Sequence, residues 1–190
     1  MNEIVGTRHG SPWRIVGWGT AVVLLAAPFV AMQLDAEGVN WTASDFVFAG
    51  VIFAVVGALL EFAIWKNKSG WYRAAVAVAL LANLLVIWAN LAVGIVGSEH
   101  NPANQLFFVA LLIGIAGAAI ARFRPAGMAR AMLATAISLV IAFVIASAGP
   151  TDEPYVNHAA EVVGTAIFAI LLLVSAGLFR RAAQPQSSSS

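Results

Sequence analysis

The chain contains no cysteine, and only ten Lys and Arg and nine Asp and Glu among its 190 residues. Without cysteine there is no disulfide framework, no thiolate nucleophile and no Cys-ligated metal, and the redox compartment is left open. The scarcity of charge is more restrictive. Charged residues form 10% of the chain, against roughly 25% in a soluble globular domain, so an ordinary water-facing surface cannot be built. A formal net charge of +1 argues against a nucleic-acid partner, because an extended phosphate backbone is neutralised by cations in clear excess over acids. Also missing are a Walker A loop, a G-x-G-x-x-G following a strand, an H-E-x-x-H pair and a G-x-S-x-G elbow. Ser138 and Ser147 have no evident base partner, so no enzyme template is readable and no cofactor is called.

What the chain has is apolar length. Hydrophobic residues make up 61% of it, the mean hydropathy is +0.89, and the apolar residues fall into runs near the roughly 20 helical residues that cross a bilayer. The reading is an all-α membrane protein with a lipid bilayer as its surroundings. A leader at 1–12 precedes a single six-helix domain at 13–182, with spans at 13–32, 46–65, 72–96, 105–121, 128–148 and 156–179, followed by a disordered tail at 183–190. The first run follows a basic leader, as a signal peptide would. It exceeds the usual ~7–15-residue apolar core of such peptides and lacks a small-x-small cleavage site, so it is expected to stay as an anchor. Pro28 should kink it or mark a frayed end.

On this map all ten cations share one side: Arg8 and Arg14; Lys66, Lys68 and Arg73; Arg122, Arg124 and Arg130; Arg180 and Arg181. By the positive-inside rule that side, with both termini, is cytoplasmic. Seven acids lie on the other side, and only Glu3 and Glu61 on the inner one. Trp13, Trp41, Trp65 and Trp71 lie near span ends, where indoles favour the interface. Spans two, four and six start outside, each behind capping chemistry: Thr42 to Asp45, Asn101 to Asn104 and Thr151 to Pro154. In the middle one Asn101 is expected to accept the free N–H of Asn104, with Pro102 as first helical residue.

An internal echo bears on architecture. DFVFAGVIFAVVGALLEFA, from Asp45, lies over QLFFVALLIGIAGAAIARF, from Gln105, so that Phe48 meets Phe108 and Gly57 meets Gly117. Helices 2–3 and 4–5 would then be a parallel repeat about an axis along the membrane normal, forming a four-helix core with spans one and six outside it. Convergence of two Ala- and Gly-rich hairpins is the alternative. The stripes Gly50, Ala54, Gly57, Ala58 and Gly114, Gly117, Ala118, Ala121 read as packing seams.

Few residues are left to carry chemistry. Glu61 lies about a turn from the inner end of span two; it either pairs with the basic inner loops, Arg122 being the repeat-derived partner, or serves a proton relay or substrate. Asn83 and Asn90 are seven apart and share a helical face that Gly94 and Gly97 would continue. They either bridge neighbouring helices or form a polar track to an outer mouth holding Glu99, His100, Asn104 and Gln105. His158 and Glu161 are three apart at the start of span six, with Thr165 beyond. His100, His158 and Glu161, with Glu99 and Asp45 nearby, are weak ligands for a divalent metal, lacking any fixed motif spacing. A haem between His100 and His158 is weaker still.

The run WANLAVGIVGSEHNPANQLFF (Trp88 to Phe108), followed by ARFRPAGMARAMLATA (Ala121 to Ala136), resembles an uncharacterised group of small bacterial multi-pass membrane proteins with a GSE(D/H)NPAN turn. The resemblance covers spans two to five and implies a bacterial inner-membrane location, with no transferable site residue. Three classes stay open: a small-solute or ion-binding protein, transport-like or sensory, with a polar outer mouth; an accessory or scaffold subunit, homo-oligomeric or docked on another membrane protein; and a membrane enzyme or metal- or haem-binding redox protein. The first is preferred. Lack of cysteine makes the threading testable: Asn40→Cys and Ser98→Cys should react with an impermeant maleimide outside intact bacteria, and Asn67→Cys and Ala126→Cys only after permeabilisation. Labelling of both sets from outside would overturn the threading.

Overall fold

The structure, a computed structural model, describes residues 12–36, 39–149 and 157–184. The leader, the Thr151 to Pro154 capping stretch and the serine tail lie outside the described residues. Six helices follow in order: α1 (Pro12–Gln33), α2 (Ala43–Lys66), α3 (Gly70–Ala92), α4 (Gln105–Ile120), α5 (Pro125–Ser147) and α6 (His158–Ala183), with a 3-10 turn at Pro102–Asn104 ahead of α4. No strand occurs among the described residues. Among the described residues five helices, α2 to α6, are long and apolar enough to cross a membrane, α4 together with its leading turn; α1 contributes a shorter apolar stretch, Gly17–Gln33.

The helix boundaries follow local chemistry. At α2, Asp45 Oδ2 accepts from Thr42 N at 2.7 Å and from Thr42 Oγ1 at 2.8 Å, a carboxylate reaching back over the first turn as in a capping box. The α6 start falls at His158, where Asn157 accepts from Ala160 N at 3.2 Å, a cap the sequence reading passed over. Ahead of α4, Asn101 accepts from Ala103 N at 3.0 Å, not from Asn104 as expected. The chain enters through a 3-10 turn, which brings the second amide within reach of the side chain. The third span also ends earlier than expected. α3 stops at Ala92, and Gly94 and Gly97 turn the chain with φ of 74° and 70°, so neither continues the Asn83–Asn90 helical face.

The chain divides into two compact units, meeting within α2 after Phe62. In the first, α1 packs on α2 through Trp18. A Cβ on Gly57 would lie 2.8 Å from the Trp18 ring, and the indole Nε1 donates to Glu61 Oε1 at 3.0 Å. Near the far end of the pair, Phe29 meets Phe46 edge-on at 6.5 Å, and Trp41 meets Phe46 at 5.2 Å. Glu61 is thus engaged by an indole on α1, a partner the sequence reading did not name.

In the second unit α6 lies between α3 and α5, and α4 lies on α5; α3 meets α4 only briefly. The sequence reading placed span six outside a core of spans two to five. Within the second unit α6 instead packs against both α3 and α5, with Leu172, Ser175 and Phe179 fully buried. Small residues explain its position: Ala75, Ala79 and Ala82 on α3 and Ala169 and Ala176 on α6 let the two backbones approach. Ser175 Oγ donates to Ala75 O at 2.8 Å. The glycines aligned across the two hairpins meet different neighbours, Gly57 the Trp18 ring of the preceding helix and Gly117 the Ala131 methyl of the following one. Around this body, α5 and α6 present exposed Ile137, Ile141, Val144, Ile167 and Ile170, a surface suited to lipid rather than water.

One end of this unit is drawn together by a single side chain. Tyr72 at the start of α3 is buried, donates its hydroxyl to Phe123 O in the α4–α5 turn at 2.9 Å, and stacks edge-on with Phe179 of α6 at 5.3 Å. Tyr72→Phe keeps the ring contact and removes the bond. It should cost about 1 kcal/mol of unfolding free energy in detergent, within the roughly 0.6–1.7 kcal/mol of interhelical bonds in membranes; an unchanged stability would contradict the tie.

Candidate functional site

The other end of the unit holds most of the polar residues singled out in the sequence. After α3 ends, Ile95 and Val96 turn inward and join the hydrophobic core. Their side chains gain burial, but their backbone groups go with them, and a buried amide without a partner costs roughly 1–3 kcal/mol. Asn104 supplies the partners. Its Oδ1 accepts from Ile95 N at 3.2 Å and Val96 N at 3.0 Å, while its Nδ2 donates to Val96 O at 3.1 Å and Ser98 O at 2.8 Å. A primary amide has two donors and a two-lone-pair acceptor, so this side chain is saturated. Asn101 Nδ2 adds a second donor to Val96 O at 3.0 Å. Gly94 is fixed in the same knot: its φ is positive, and a Cβ would collide with the Ser98 carbonyl and lie 2.8 Å from Asn104 Nδ2.

Two further elements close on the connector. Asn90, on the last turn of α3, donates through Nδ2 to Asn104 O at 3.0 Å. Glu161, in the first turn of α6, accepts from Gly97 N at 2.7 Å through Oε1, and its Oε2 lies 3.1 Å from His158 Nδ1. This carboxylate side chain is only 10% exposed, whereas His158 is 71% exposed. The imidazole therefore covers the carboxylate from the water side. α6 follows the dipole rule here, with an acid in its first turn and Arg180 and Arg181 in its last.

The level of Asn90 against α6 follows from contacts at the opposite end. Tyr72 meets Phe179 and Ala75 meets Ser175, so the helices run antiparallel, and a step up α3 is matched by an equal step back along α6. Asn90 thereby falls near Ala160 and Glu161, with Thr165 one turn deeper. Both Asn90 and Thr165 are 4% exposed, and among the described residues Asn90 Oδ1 and Thr165 Oγ1 have no hydrogen-bond partner. Two orphaned oxygens on facing helices, about a turn from a carboxylate, are the most unusual feature of this end. Thr165 entered the sequence reading only as an extension of the His158–Glu161 face; its burial without a partner had no sequence signal.

The other candidates stand apart. Asn83 is half-buried and donates to Ala79 O of its own helix at 2.6 Å, a bond that needs no neighbour. Glu99 and His100 form an exposed pair at 3.4 Å. Of the weak metal ligands His100, His158 and Glu161, each imidazole thus sits on its own acid, and no cluster of three or more His, Cys, Asp or Glu that could hold a metal occurs among the described residues. In the first unit an open groove of about 370 Å³ is lined by Val22, Leu25, Ala26, Phe29 and Phe46, all apolar.

Fold and composition together define a multi-pass helical membrane protein. Compared with family models, curated proteins and solved structures, the chain matches none, so the geometry alone carries the functional argument. That geometry makes one sharp contrast between two asparagines. Asn104→Ala strips two buried amides of their acceptor and should cost about 3 kcal/mol or more, while Asn83→Ala should change stability by less than about 0.5 kcal/mol. Chemical or thermal unfolding in detergent decides it, and equal effects would contradict the assignment.

Proposed function

We propose that the chain is a six-span protein of the bacterial inner membrane, with both termini cytoplasmic, that binds a small cation or small polar solute at the outward end of α3 and α6 in a transport-like or sensory role. The observation that carries this reading is the pair of buried oxygens without partners among the described residues, Asn90 Oδ1 and Thr165 Oγ1, close to the Glu161 carboxylate. Each unmet oxygen costs roughly 1–3 kcal/mol, which a ligand bringing positive charge or N–H donors offsets. An amide oxygen, a hydroxyl and a carboxylate are hard donors, suited to an alkali or alkaline-earth ion or to a small ammonium compound. In the site residues of the sequence reading, this keeps Asn90 and Glu161 as ligand-facing, gives Asn104 and His158 the work of holding the connector and covering the carboxylate, and leaves Asn83, Glu99 and His100 outside.

The threading rests on the one-sided distribution of the ten basic residues. In the second unit it is supported by the gathering of Arg122, Arg124, Arg180 and Arg181 at the Tyr72 end, with Glu99 and Glu161 at the other. The accessory-subunit reading draws on a different observation, the wholly apolar groove between α1 and α2, which fits an apolar helix of a membrane partner.

A thermal-unfolding screen of the purified protein against Na⁺, K⁺, Ca²⁺ and small ammonium solutes tests the ligand reading. A bound species at a hundred times its Kd adds about 2.7 kcal/mol of stability. Thr165→Val keeps the shape and removes the unpartnered hydroxyl. It should raise ligand-free stability by about 1 kcal/mol and abolish the ligand response. A response that survives Thr165→Val combined with Asn90→Leu, or no response of the parent protein to any of these species, sinks the reading.

A further inference from the structure

The arginine-rich end of the second unit has no role in the site above. Tyr72 ties the start of α3, the α4–α5 turn and the end of α6 to one another. The α4–α5 turn, the second turn of α5 and the end of α6 carry Arg122, Arg124, Arg130, Arg180 and Arg181, all of them exposed, and half-buried Arg73 follows Tyr72 on α3. Among the described residues of this unit the only carboxylates are Glu99 and Glu161. Glu161 is separated from Arg180 by about 28 Å along α6 at roughly 1.5 Å per residue. That distance exceeds two Debye lengths at physiological salt, so neither acid neutralises the cluster.

We propose that this end holds the phosphate of an anionic phospholipid, gripped by Arg122, Arg124 and Arg130. The residue type points to phosphate. Arg122, Arg124 and Arg130 carry planar forks that match phosphate oxygens with two parallel N–H bonds, where Lys66 and Lys68 of the same unit offer point charges. Arg122 also holds a left-handed backbone at φ 50°, followed by Phe123 at 58°, a conformation that glycine adopts with less strain. A bulky cation stands there in the residue's place.

The surroundings point to a lipid rather than a free ion. Arg130 heads an outward face of α5 that continues at helical spacing through Leu133, Ile137, Ile141 and Val144, all exposed. On α4, Ile120, two residues before Arg122, is 84% exposed. A headgroup at the arginines would thus have apolar side chains directly below it for its acyl chains. Trp71 is exposed at the same end, with the Arg181 guanidinium carbon 5.2 Å from its ring centroid, an indole and a cation placed as at a membrane–water interface. The site is independent of which leaflet the end faces and of the cation reading at the opposite end.

The test compares lipid retention by the full chain, using native mass spectrometry and thermal unfolding with added phosphatidylglycerol, phosphatidylcholine or inorganic phosphate at equal concentration and near-physiological salt. Phosphatidylglycerol should bind at least about tenfold more tightly than phosphatidylcholine, given about fivefold per basic residue near an anionic surface. Arg130→Gln should lose about fivefold of that preference, and R122Q/R124Q/R130Q nearly all of it, with the unfolding midpoint in phosphatidylcholine unchanged. Equal binding of the two lipids, or a preference that survives the triple exchange, would overturn the proposal. So would inorganic phosphate reproducing the phosphatidylglycerol effect, since the ligand would then be a free anion. Should the triple variant fail to fold, Arg130→Gln at its exposed position carries the comparison alone.

Discussion

The inward turn of Ile95 and Val96 is the constraint on which the polar end of the molecule depends. A connector between two membrane-crossing helices can lie on the surface with its amides in water. This one instead lends two apolar side chains to the core, and it thereby takes on the cost of backbone groups removed from water. Asn104 meets that cost with its whole hydrogen-bonding capacity, and Glu161 meets the next amide along, at Gly97. The connector is consequently fastened to both helices that flank it in space, α3 through Asn90 and α6 through Glu161. Position, not sequence adjacency, decides which helices it joins.

That fastening explains why α6 occupies the middle of the second unit. At the polar end Glu161 fixes it to the connector; at the arginine end Phe179 packs on Tyr72; between them Ser175 bonds a backbone carbonyl of α3 across a seam of alanines. Hydrophobic burial does little to choose between neighbouring helices in lipid, because the hydrocarbon is as apolar as the side chains. Polar bonds at both ends and close backbone approach between them then determine the pairing. The same logic leaves Asn90 Oδ1 and Thr165 Oγ1 conspicuous, since among the described residues they are the buried side-chain polar atoms without a partner.

The membrane class and the positions of the helices were legible because they depend on apolar length and on caps written in neighbouring residues. Thr42 with Asp45 is such a cap, and Pro102 after Asn101 marks a helix entry. The end of α3 was misread because Gly94 and Gly97 fit a helical face by spacing alone; their positive φ becomes visible only once the chain turns. Asn104 looked like a residue left over for function, since its partners lie up to nine residues upstream and no periodicity links them. The place of α6 between α3 and α5 within the second unit was illegible for a related reason: Ser175 and Ala75 are a hundred positions apart, and an Ala- or Ser-rich seam on one helix does not name its partner. Thr165 carried no signal at all beyond sharing a face with Glu161.

The central claim is that the connector is a rigid, internally bonded plug and not a loose polar loop. Amide hydrogen exchange in lipid nanodiscs measures this residue by residue. The account predicts that Ile95, Val96 and Gly97 exchange as slowly as amides in the interior of α3, because each donates to a buried or nearly buried side chain. Exchange of these three amides at the rate of an exposed loop would contradict it.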